Sequence, residues 1–236
     1  MNTPLQHHAV LLTGGSGGIG AALADAFLEA GARRVICASS REAAARPGIV
    51  ADTVDVTSLD SVQALAARHA GAALSVVIHC AGVNGNSPIT APGFAQTARR
   101  EIEVNYLGLL HLASAFAPLL AGRPGATFVS MLSFLSHVSV PSMATYCASK
   151  AAAHSLTQSL RQELGTSGIR VCGVYPTAVD TVMSRDMPGP KLAPGDLARR
   201  VVQAVAQGQD ELYPAPARER YIEVLAAQAA AAADLA

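Results

Sequence analysis

A glycine-rich turn near the N-terminus limits how this chain can fold more than any other part of the sequence. The short apolar segment Ala9–Thr13 is typical of a strand, and it runs directly into the cluster Thr13–Gly20. The following residues, Gly18–Ala30, have the Ala/Leu-rich composition of a helix. Glycine has no Cβ, so the backbone of such a cluster can turn tightly and approach a ligand closely. The helix start offers unpaired N–H groups and a positive dipole end, so this order predicts a dinucleotide site.

Apolar strand candidates alternate with helical patterns along the rest of the chain. Further strands are predicted in Arg34–Ser39, Gly48–Val56, Leu74–Cys80, Gly125–Met131, Ile169–Tyr175 and Glu211–Tyr213. Further helices are predicted in Ser58–His69, Phe94–Leu120, Met143–Gly165, Asp196–Ala206 and Arg218–Ala232. Leu74–Cys80 is apolar throughout, as expected in a parallel sheet that is covered on both faces. The pattern predicts an α/β fold: a Rossmann-type doubly wound parallel sheet of about seven strands, in one domain over residues 1–236.

Composition and charge exclude several classes of protein. Of the 236 residues, 17 are basic and 17 are acidic, so the formal net charge is zero, and half of all residues are apolar. A neutral chain lacks the basic surface that binds a phosphate backbone, so we expect no nucleic-acid partner. The high apolar fraction is not that of a disordered protein.

The N-terminus and the cysteines bear on the compartment. Met1–Pro4 lacks the basic residues and apolar core of a signal peptide. The apolar stretches are shorter than the roughly 20 residues that span a bilayer. The cysteines Cys37, Cys80, Cys147 and Cys172 form no C-x-x-C pair. We therefore expect a cytoplasmic protein without membrane insertion, disulfide framework or metal site.

A tyrosine and a lysine lie four positions apart on a predicted helix, at Tyr146 and Lys150. Residues at this spacing lie one turn apart on the same helix face, so a phenol and an ammonium group can act on one substrate. A free tyrosine has a pKa of about 10, and a neighbouring cation would bring it toward neutral pH. Taken alone, this spacing is more often an ordinary surface pair.

Four motifs in this order resemble the short-chain dehydrogenase/reductase family. The matching segments are Thr13–Gly20 (T-G-x-x-x-G-x-G), Ala81-Gly82 (the end of N-N-A-G), Asn105–Gly108 (N-x-x-G) and Tyr146–Lys150 (Y-x-x-x-K). The resemblance makes Asn105 a catalytic candidate, because the family's asparagine helps to hold a water of the proton path. His79-Cys80 departs from the two family asparagines, from which we expect a local change in hydrogen bonding and no loss of fold.

The resemblance implies hydride transfer between a nicotinamide cofactor and a carbonyl or secondary alcohol substrate. Tyr146 would donate a proton to a carbonyl oxygen or accept one from an alcohol. Lys150 would hold the nicotinamide ribose and lower the pKa of Tyr146. Ser133, thirteen residues before Tyr146, would hydrogen-bond the substrate oxygen. Ser130 and Ser136 are the alternatives, but Ser130 falls inside the predicted strand and Ser136 is displaced from the match.

The same resemblance implies which residues bind the cofactor. The glycine turn would hold the pyrophosphate, Asp55-Val56 would lie beside the adenine, and the segment after the sixth strand would lie beside the nicotinamide. The predicted cofactor-binding residues are Gly14, Ser16, Gly17, Gly18, Ile19, Gly20, Ser39, Ser40, Arg41, Asp55, Val56, Ala81, Gly82, Tyr146, Lys150, Pro176, Val179 and Thr181.

The end of the second predicted strand favours NADP(H) over NAD(H). An acidic side chain at this place binds the ribose 2′-hydroxyl and repels a 2′-phosphate. Here the position is Ser39, and no acid occurs before Glu42. Ser39 and Ser40 can donate hydrogen bonds to a phosphate, and Arg41 can add a bidentate contact. Arg41 lies one position later than the arginine of many NADP-using relatives, so NAD(H) is the alternative.

The substrate side of the site is predicted to be apolar. Its candidate residues are Phe134, Leu135, Val138, Val140, Met143, Thr177 and Met183. Thr177 replaces the glycine of the family's P-G pair; it is either a tolerated loop substitution or a side chain that narrows the site or adds a hydroxyl contact. The segment Thr181–Gly195 is short for the family's substrate lid. Pro188, Pro190 and Pro194 break up the chain between Val182 and Gly195 and predict a loop there.

Two other functions are alternatives to hydride transfer for a chain with these motifs. A dinucleotide-sensing binding protein without turnover typically loses the tyrosine or the lysine, whereas Tyr146 and Lys150 are both present. A sugar-nucleotide epimerase of the family's extended branch would have a larger C-terminal domain and a different glycine spacing.

The helices Phe94–Leu120 and Met143–Gly165, with the small residues Ala151–Ala153, resemble those the family packs across a two-fold axis. They predict a homodimer or homotetramer.

Overall fold

The strands of the described chain lie parallel in one seven-stranded sheet. The computed structural model describes residues 8–41 and 45–233, so Met1–Pro4 and Glu42 lie outside the described residues. The strands are β1 Ala9–Thr13, β2 Arg34–Ser39, β3 Ile49–Thr53, β4 Leu74–His79, β5 Thr127–Met131, β6 Arg170–Val174 and β7 Glu211–Leu212. Their spatial order is β3-β2-β1-β4-β5-β6-β7, with every pair parallel. The predicted parallel sheet is confirmed.

Helices cover both faces of the sheet. They are α1 Gly18–Glu29, α2 Leu59–Arg68, α3 Phe94–Ile102, α4 Gly108–Leu120, α5 Ala144–Gly165, α6 Pro194–Gln207 and α7 Ala217–Ala233. On one face, Phe27 of α1 and Val201 of α6 belong to one buried apolar cluster. On the other face, Leu65 of α2, Phe116 of α4 and Leu160 of α5 belong to a second cluster. The doubly wound architecture predicted from the sequence is therefore confirmed.

The predicted helix Phe94–Leu120 is not a regular α-helix throughout. A π-helical turn, Glu103–Leu107, separates α3 from α4. By length and composition this is the one stretch of the described chain that could cross a membrane, which is weak evidence. Leu112 and Phe116 are fully buried in the core cluster beside the sheet, as in a core helix of a globular protein.

The segment after β6 is more ordered than the proline pattern predicts. Val182–Ser184 forms a 3₁₀ turn, and Val179 and Leu192 form an isolated parallel bridge. Helix α6 begins at Pro194, two residues earlier than predicted, because a proline fits the first helical position, where its missing N–H needs no partner. The predicted loop Val182–Gly195 is therefore shorter and partly structured.

The strand order reverses between β1 and β4. From β1 the chain proceeds to β2 and β3 on one side, and from β4 to β5, β6 and β7 on the other. In doubly wound sheets, ligands bind in the crevice that this reversal leaves at the carboxyl ends of the strands. The glycine turn follows β1 directly, so it lies at this crevice.

Candidate active site

A cavity of about 590 Å³ opens at the carboxyl ends of β1, β2 and β4. Most of the predicted cofactor-binding residues line it: Gly14, Ser16, Gly17, Gly18, Ile19, Gly20, Ser39, Ser40, Arg41, Asp55, Val56, Ala81, Gly82 and Thr181. Met183, predicted on the substrate side, lines it as well. Seven further lining residues were not predicted from the sequence: Val54, Cys80, Val83, Asn84, Arg100, Val104 and Val182.

The glycine turn makes a tight cradle at the start of α1. Gly14 has a φ of 72°, in the left-handed region, and the N–H of Gly17 donates to the Gly14 carbonyl oxygen at 3.0 Å. A Cβ on Gly20 would lie 2.2 Å from that oxygen, so only glycine fits there. Gly17 caps α1 without a side-chain hydrogen bond, which leaves the first-turn N–H groups to a ligand. This arrangement fits a pyrophosphate.

A single hydroxyl joins β1 to the segment that follows β4. Thr13 Oγ1 accepts hydrogen bonds from the N–H groups of Cys80 and Ala81, both at 3.2 Å. His79 Nδ1 lies 3.3 Å from the same oxygen. His79 is buried, and burial lowers its pKa to about 3, so the ring is neutral. The expected local change in hydrogen bonding is thus a neutral histidine in place of an amide, with β1 and β4 still paired.

The end of β2 differs from the prediction in one hydrogen bond. Ser39 is 4% exposed, and its hydroxyl donates to the carbonyl oxygen of Arg41. That proton is therefore used within the loop, so Ser39 does not present a free donor as predicted. Ser40 and Arg41 are exposed and face the cavity. Asp55 lies across from them and accepts from Thr57, and these hydrogen bonds lower the pKa of the Asp55 carboxyl.

Three of the four predicted catalytic side chains meet beside the end of β5. Ser133 follows the strand, and its hydroxyl lies beside the phenol of Tyr146. Lys150 Nζ lies 5.8 Å from the centroid of the Tyr146 ring and donates to the Met131 carbonyl oxygen at 2.9 Å. The alternative serines, Ser130 and Ser136, are buried, and neither hydroxyl has a hydrogen-bond partner. Only Ser133 is therefore placed to act with Tyr146.

Burial dominates the charges of this pair. Burial raises the pKa of Tyr146 to about 12, against a lowering by the Ser133 hydrogen bond. Burial also lowers the pKa of Lys150 to about 8. The prediction that Lys150 lowers the pKa of Tyr146 is therefore wrong for the protein without its cofactor. The ammonium group donates to the Met131 carbonyl oxygen, and burial is the main cause of the raised pKa of the phenol.

Asn105 lies within the π turn, and its amide makes three hydrogen bonds. Its Oδ1 accepts from the N–H of Val83, and its Nδ2 donates to the Val83 carbonyl oxygen and to Ser149 Oγ, each at 2.9 Å. Asn105 Oδ1 and Lys150 Nζ both lie close to the α-carbon of Gly82, at 3.3 and 3.7 Å from where a Cβ would stand. The side chain thus fixes the segment after β4 and adjoins the ammonium group.

Some predicted residues do not line the cavity. Tyr146 and Lys150 lie behind it, next to β5, and Pro176 is buried, with its carbonyl oxygen accepting from the N–H of Phe134 at 2.9 Å. Val179 packs in the core cluster of α1 and α6, because its side chain lies under the strand-like bridge to Leu192. The cofactor contacts predicted for these four residues stay predictions.

The substrate candidates divide into two groups. Phe134 is buried, whereas the others between β5 and α5 are partly buried: Leu135, Val138, Val140 and Met143. Thr177 is partly buried, and Met183 is 44% exposed at the mouth of the cavity. Met143 is the only one of them, in the described structure, that hydrogen-bonds a cavity residue: its Sδ accepts from Asn84 Nδ2 at 3.3 Å.

A buried acid and an exposed arginine were also missed by the sequence reasoning. Glu101 is 1% exposed; its Oε1 accepts from the N–H of Gly85 at 2.9 Å, and its Oε2 has no partner. Arg100 lines the main cavity and a second one of about 490 Å³ beside it. Glu101 lies one helical turn before Asn105, which is the only sequence signal that pointed to it.

Comparison with known proteins shows the family of this chain. The model of the short chain dehydrogenase family matches residues 8–190. The uncharacterized oxidoreductase DltE of Bacillus subtilis is 32% identical over 78% of this chain and 78% of its own length. An uncharacterized oxidoreductase of Staphylococcus saprophyticus is 28% identical over 86% of this chain and 93% of its own. A short chain dehydrogenase of Burkholderia cenocepacia, solved in complex with NADP, is 35% identical with a TM-score of 0.89, covering 98% of both chains.

The chain belongs to the short-chain dehydrogenase/reductase family. It is an oxidoreductase that uses a nicotinamide cofactor. Within the described residues, no group of three or more His, Cys, Asp or Glu side chains could hold a metal ion. The glycine cradle, the open first turn of α1 and the cavity beside them fit a dinucleotide.

Proposed function

We propose that this protein transfers hydride between NADP(H) and a ketone, aldehyde or secondary alcohol, with Tyr146 as the proton donor or acceptor. The observation that carries the proposal is the meeting of Ser133, Tyr146 and Lys150 at the end of β5, beside the cavity that fits a dinucleotide. When bound, the nicotinamide supplies or takes the hydride, and the protein positions the substrate and moves the proton.

Tyr146 is suited to donate a proton during carbonyl reduction. With a pKa of about 12, the phenol keeps its proton throughout the neutral range. Ser133 Oγ accepts from the N–H of Leu135 at 3.1 Å, and its hydroxyl lies beside the Tyr146 phenol, so a substrate oxygen bound between the two hydroxyls can accept from both. A hydroxyl donor beside the reacting oxygen stabilises the negative charge that develops there. These two groups are suited to carbonyl reduction, in which the substrate oxygen takes up a proton.

Lys150 and Asn105 support the proton donor from behind. Lys150 has three N–H donors, one of which is used by the Met131 carbonyl, so the others are suited to a ribose hydroxyl. Asn105 Oδ1 has a second lone pair beyond the one used by the Val83 N–H, and it lies next to Lys150 across Gly82. This supports a role for Asn105 in holding a water of the proton path.

The charges at the end of β2 support NADP(H) rather than NAD(H). Ser40 and Arg41 face the cavity as exposed donors, and Ser39 stands where an acid would repel a 2′-phosphate. Asp55 is the only acid among the described lining residues, and it lies beyond the end of β3. The relative from Burkholderia cenocepacia, bound to NADP in its structure, adds support.

A screen of the purified protein tests the proposal. NADPH and NADH oxidation would be followed with a panel of ketones, aldehydes and quinones. We expect NADPH-dependent reduction of at least one carbonyl class. Titration of NADPH, followed by its own fluorescence because the chain has no tryptophan, would run in parallel. Tight NADPH binding without turnover of any class would favour the dinucleotide-sensing alternative instead.

The four free cysteines support the cytoplasm as the proposed compartment.

A further inference from the structure

The segment after β4 is held against α3 and the π turn at alternate residues. Asn105 accepts from the N–H of Val83 and donates to its carbonyl oxygen, while Glu101 accepts from the N–H of Gly85, all at 2.9 Å. At Gly85 the backbone lies so close to α3 that a Cβ would be 2.3 Å from the Thr97 methyl group. The residue between these two contacts, Asn84, projects away from the two side chains that hold its neighbours.

The orientation of the Asn84 amide is set by its own loop. Its Oδ1 accepts from the N–H of Asn86 at 2.9 Å, an Asx turn in which Asn86 takes a left-handed φ of 46°. Since the oxygen is occupied by this N–H, the nitrogen must point the other way. Nδ2 lies 3.3 Å from Met143 Sδ, the residue that caps the start of α5. The structure therefore presents a donor toward the helix that carries Tyr146.

The present acceptor of this donor is a poor one. A thioether sulfur accepts only weakly, so a substrate oxygen would be a better partner for Nδ2. Asn84 is partly buried and lines both the main cavity and the neighbouring one. Among the other residues that line the main cavity, Val83, Val182 and Met183 are apolar, whereas Arg100 is charged and lines both cavities. A small number of placed polar groups is the usual way in which a pocket fixes the orientation of its ligand, and the Asn84 amide is one such group.

We infer that Asn84 is a specificity-determining residue that donates a hydrogen bond to a second oxygen atom of the substrate. The preferred substrates are then ketones that carry an ether, hydroxyl or carbonyl oxygen a few bonds from the reacting carbonyl. Met143 precedes Tyr146 by three positions, so an oxygen that replaces its sulfur as acceptor lies near the reacting group. This inference rests on the proposed function, since it assigns a substrate class to the same site.

Two ketones of equal size provide the test. Pentan-2-one and 1-methoxypropan-2-one differ only in that an ether oxygen replaces one methylene group, so the second oxygen is an acceptor alone. The intrinsic difference in their reactivity cancels when the ratio of their kcat/KM values is compared between variants. Asn84→Ala removes the amide, and Asn84→Asp removes the donor but keeps an oxygen for the Asn86 N–H.

We expect the ratio of kcat/KM, ether ketone over pentan-2-one, to fall about three- to tenfold in both variants, as one lost hydrogen bond predicts. Ser87→Ala is the matched control, because Ser87 belongs to the same loop but lines neither the main cavity nor the neighbouring one, and its ratio should stay that of the wild type. An unchanged ratio in Asn84→Ala and Asn84→Asp overturns the inference while the proposed function stands. Absence of carbonyl turnover by the wild type with either cofactor is a failure of the proposed function, and the inference falls with it.

Discussion

Lys150 donates a 2.9 Å hydrogen bond to the carbonyl oxygen of Met131, the last residue of β5. The bond joins the helix that carries Tyr146 to the strand that ends two residues before Ser133. It therefore helps to fix the spacing between the phenol and the serine hydroxyl. It also gives a buried ammonium group the partner that it needs, because an unpaired charge is costly in the interior.

The charge of Lys150 should control the alkaline limit of the reaction. Burial lowers the pKa of Lys150 to about 8, so its positive charge is lost as the pH rises above that value. Tyr146, with a pKa of about 12, keeps its proton over the same range. We expect kcat/KM for carbonyl reduction to decline above about pH 8, with Lys150→Met slower and without that decline. A wild-type profile that stays flat to about pH 10 would contradict this assignment.

Replacing Tyr146 with phenylalanine should abolish most of the turnover. The variant loses the only phenol at the reaction site but keeps the ring, so we expect turnover to fall by about 10²–10⁴-fold. NADPH affinity, measured by cofactor fluorescence, should change little because Tyr146 does not line the dinucleotide cavity. Tyr221→Phe on α7 is the matched control. Near wild-type turnover of Tyr146→Phe in a chemistry-limited assay would show that another group supplies the proton.

Ser39→Asp should reverse the preference between cofactors. A carboxylate at this position accepts ribose hydroxyls and repels a 2′-phosphate, and it cannot donate to the Arg41 carbonyl as the serine does. A charge-assisted hydrogen bond contributes about 1.5–3 kcal/mol, so the wild type should favour NADPH at least about tenfold in kcat/KM.

Arg41→Ala tests the other side of the same preference. It should weaken NADPH far more than NADH, because Arg41 is a charged donor that directly follows Ser39 and Ser40 and lines the cavity. Arg33→Ala, an exposed arginine that does not line the cavity, is its control. A wild-type preference for NADH would refute the cofactor proposal, and an equal loss for both cofactors would make Arg41 an ordinary surface residue.

The buried His79 should make the fold sensitive to acid. Its folded-state pKa of about 3 lies below the unfolded value of about 6.5, so the unfolded chain binds the proton first. This contribution to stability is complete above about pH 6.5 and is lost as the pH falls toward 3, at about 1.4 kcal/mol per pH unit. His79→Asn should reduce the slope of unfolding free energy against pH in denaturant titrations. His137, with a pKa lowered to about 4, sustains part of the remaining slope. Identical slopes in both proteins would exclude His79.

The predicted homo-oligomer can be tested on α5. Of the three alanines considered, Ala153 is buried, Ala152 is partly buried and only Ala151 is exposed. Ala151→Arg should therefore disrupt a two-fold contact through this helix without disturbing the core. Light scattering should give the mass of two or four wild-type chains and a smaller mass for the variant. A wild type with the mass of one chain at all working concentrations would remove the prediction.

The sequence was most informative where local backbone chemistry decides the structure. The glycine turn was predictable because a Cβ at Gly14 or Gly20 would collide with nearby backbone atoms. The strands were predictable because continuous apolar strands are typical of a parallel sheet that is covered on both faces. The roles of Asn84 and Glu101 were not predictable, because they depend on contacts between segments that are distant in sequence. The pKa of Tyr146 was mispredicted for a related reason: a motif gives the neighbouring charge but not the extent of desolvation.

The hydroxyl of Thr13 affects how ordered the site is before a dinucleotide binds. Because it accepts from two successive N–H groups beyond β4, it holds the ends of β1 and β4 together at the base of the crevice. The backbone at the base of the crevice is therefore already ordered, so it loses little conformational entropy when a cofactor binds. Adjustment is left to the exposed rim, at Ser40-Arg41 and Val182-Met183. Substitutions at these exposed positions can therefore change the selectivity for cofactor or substrate without changing the packing of the sheet.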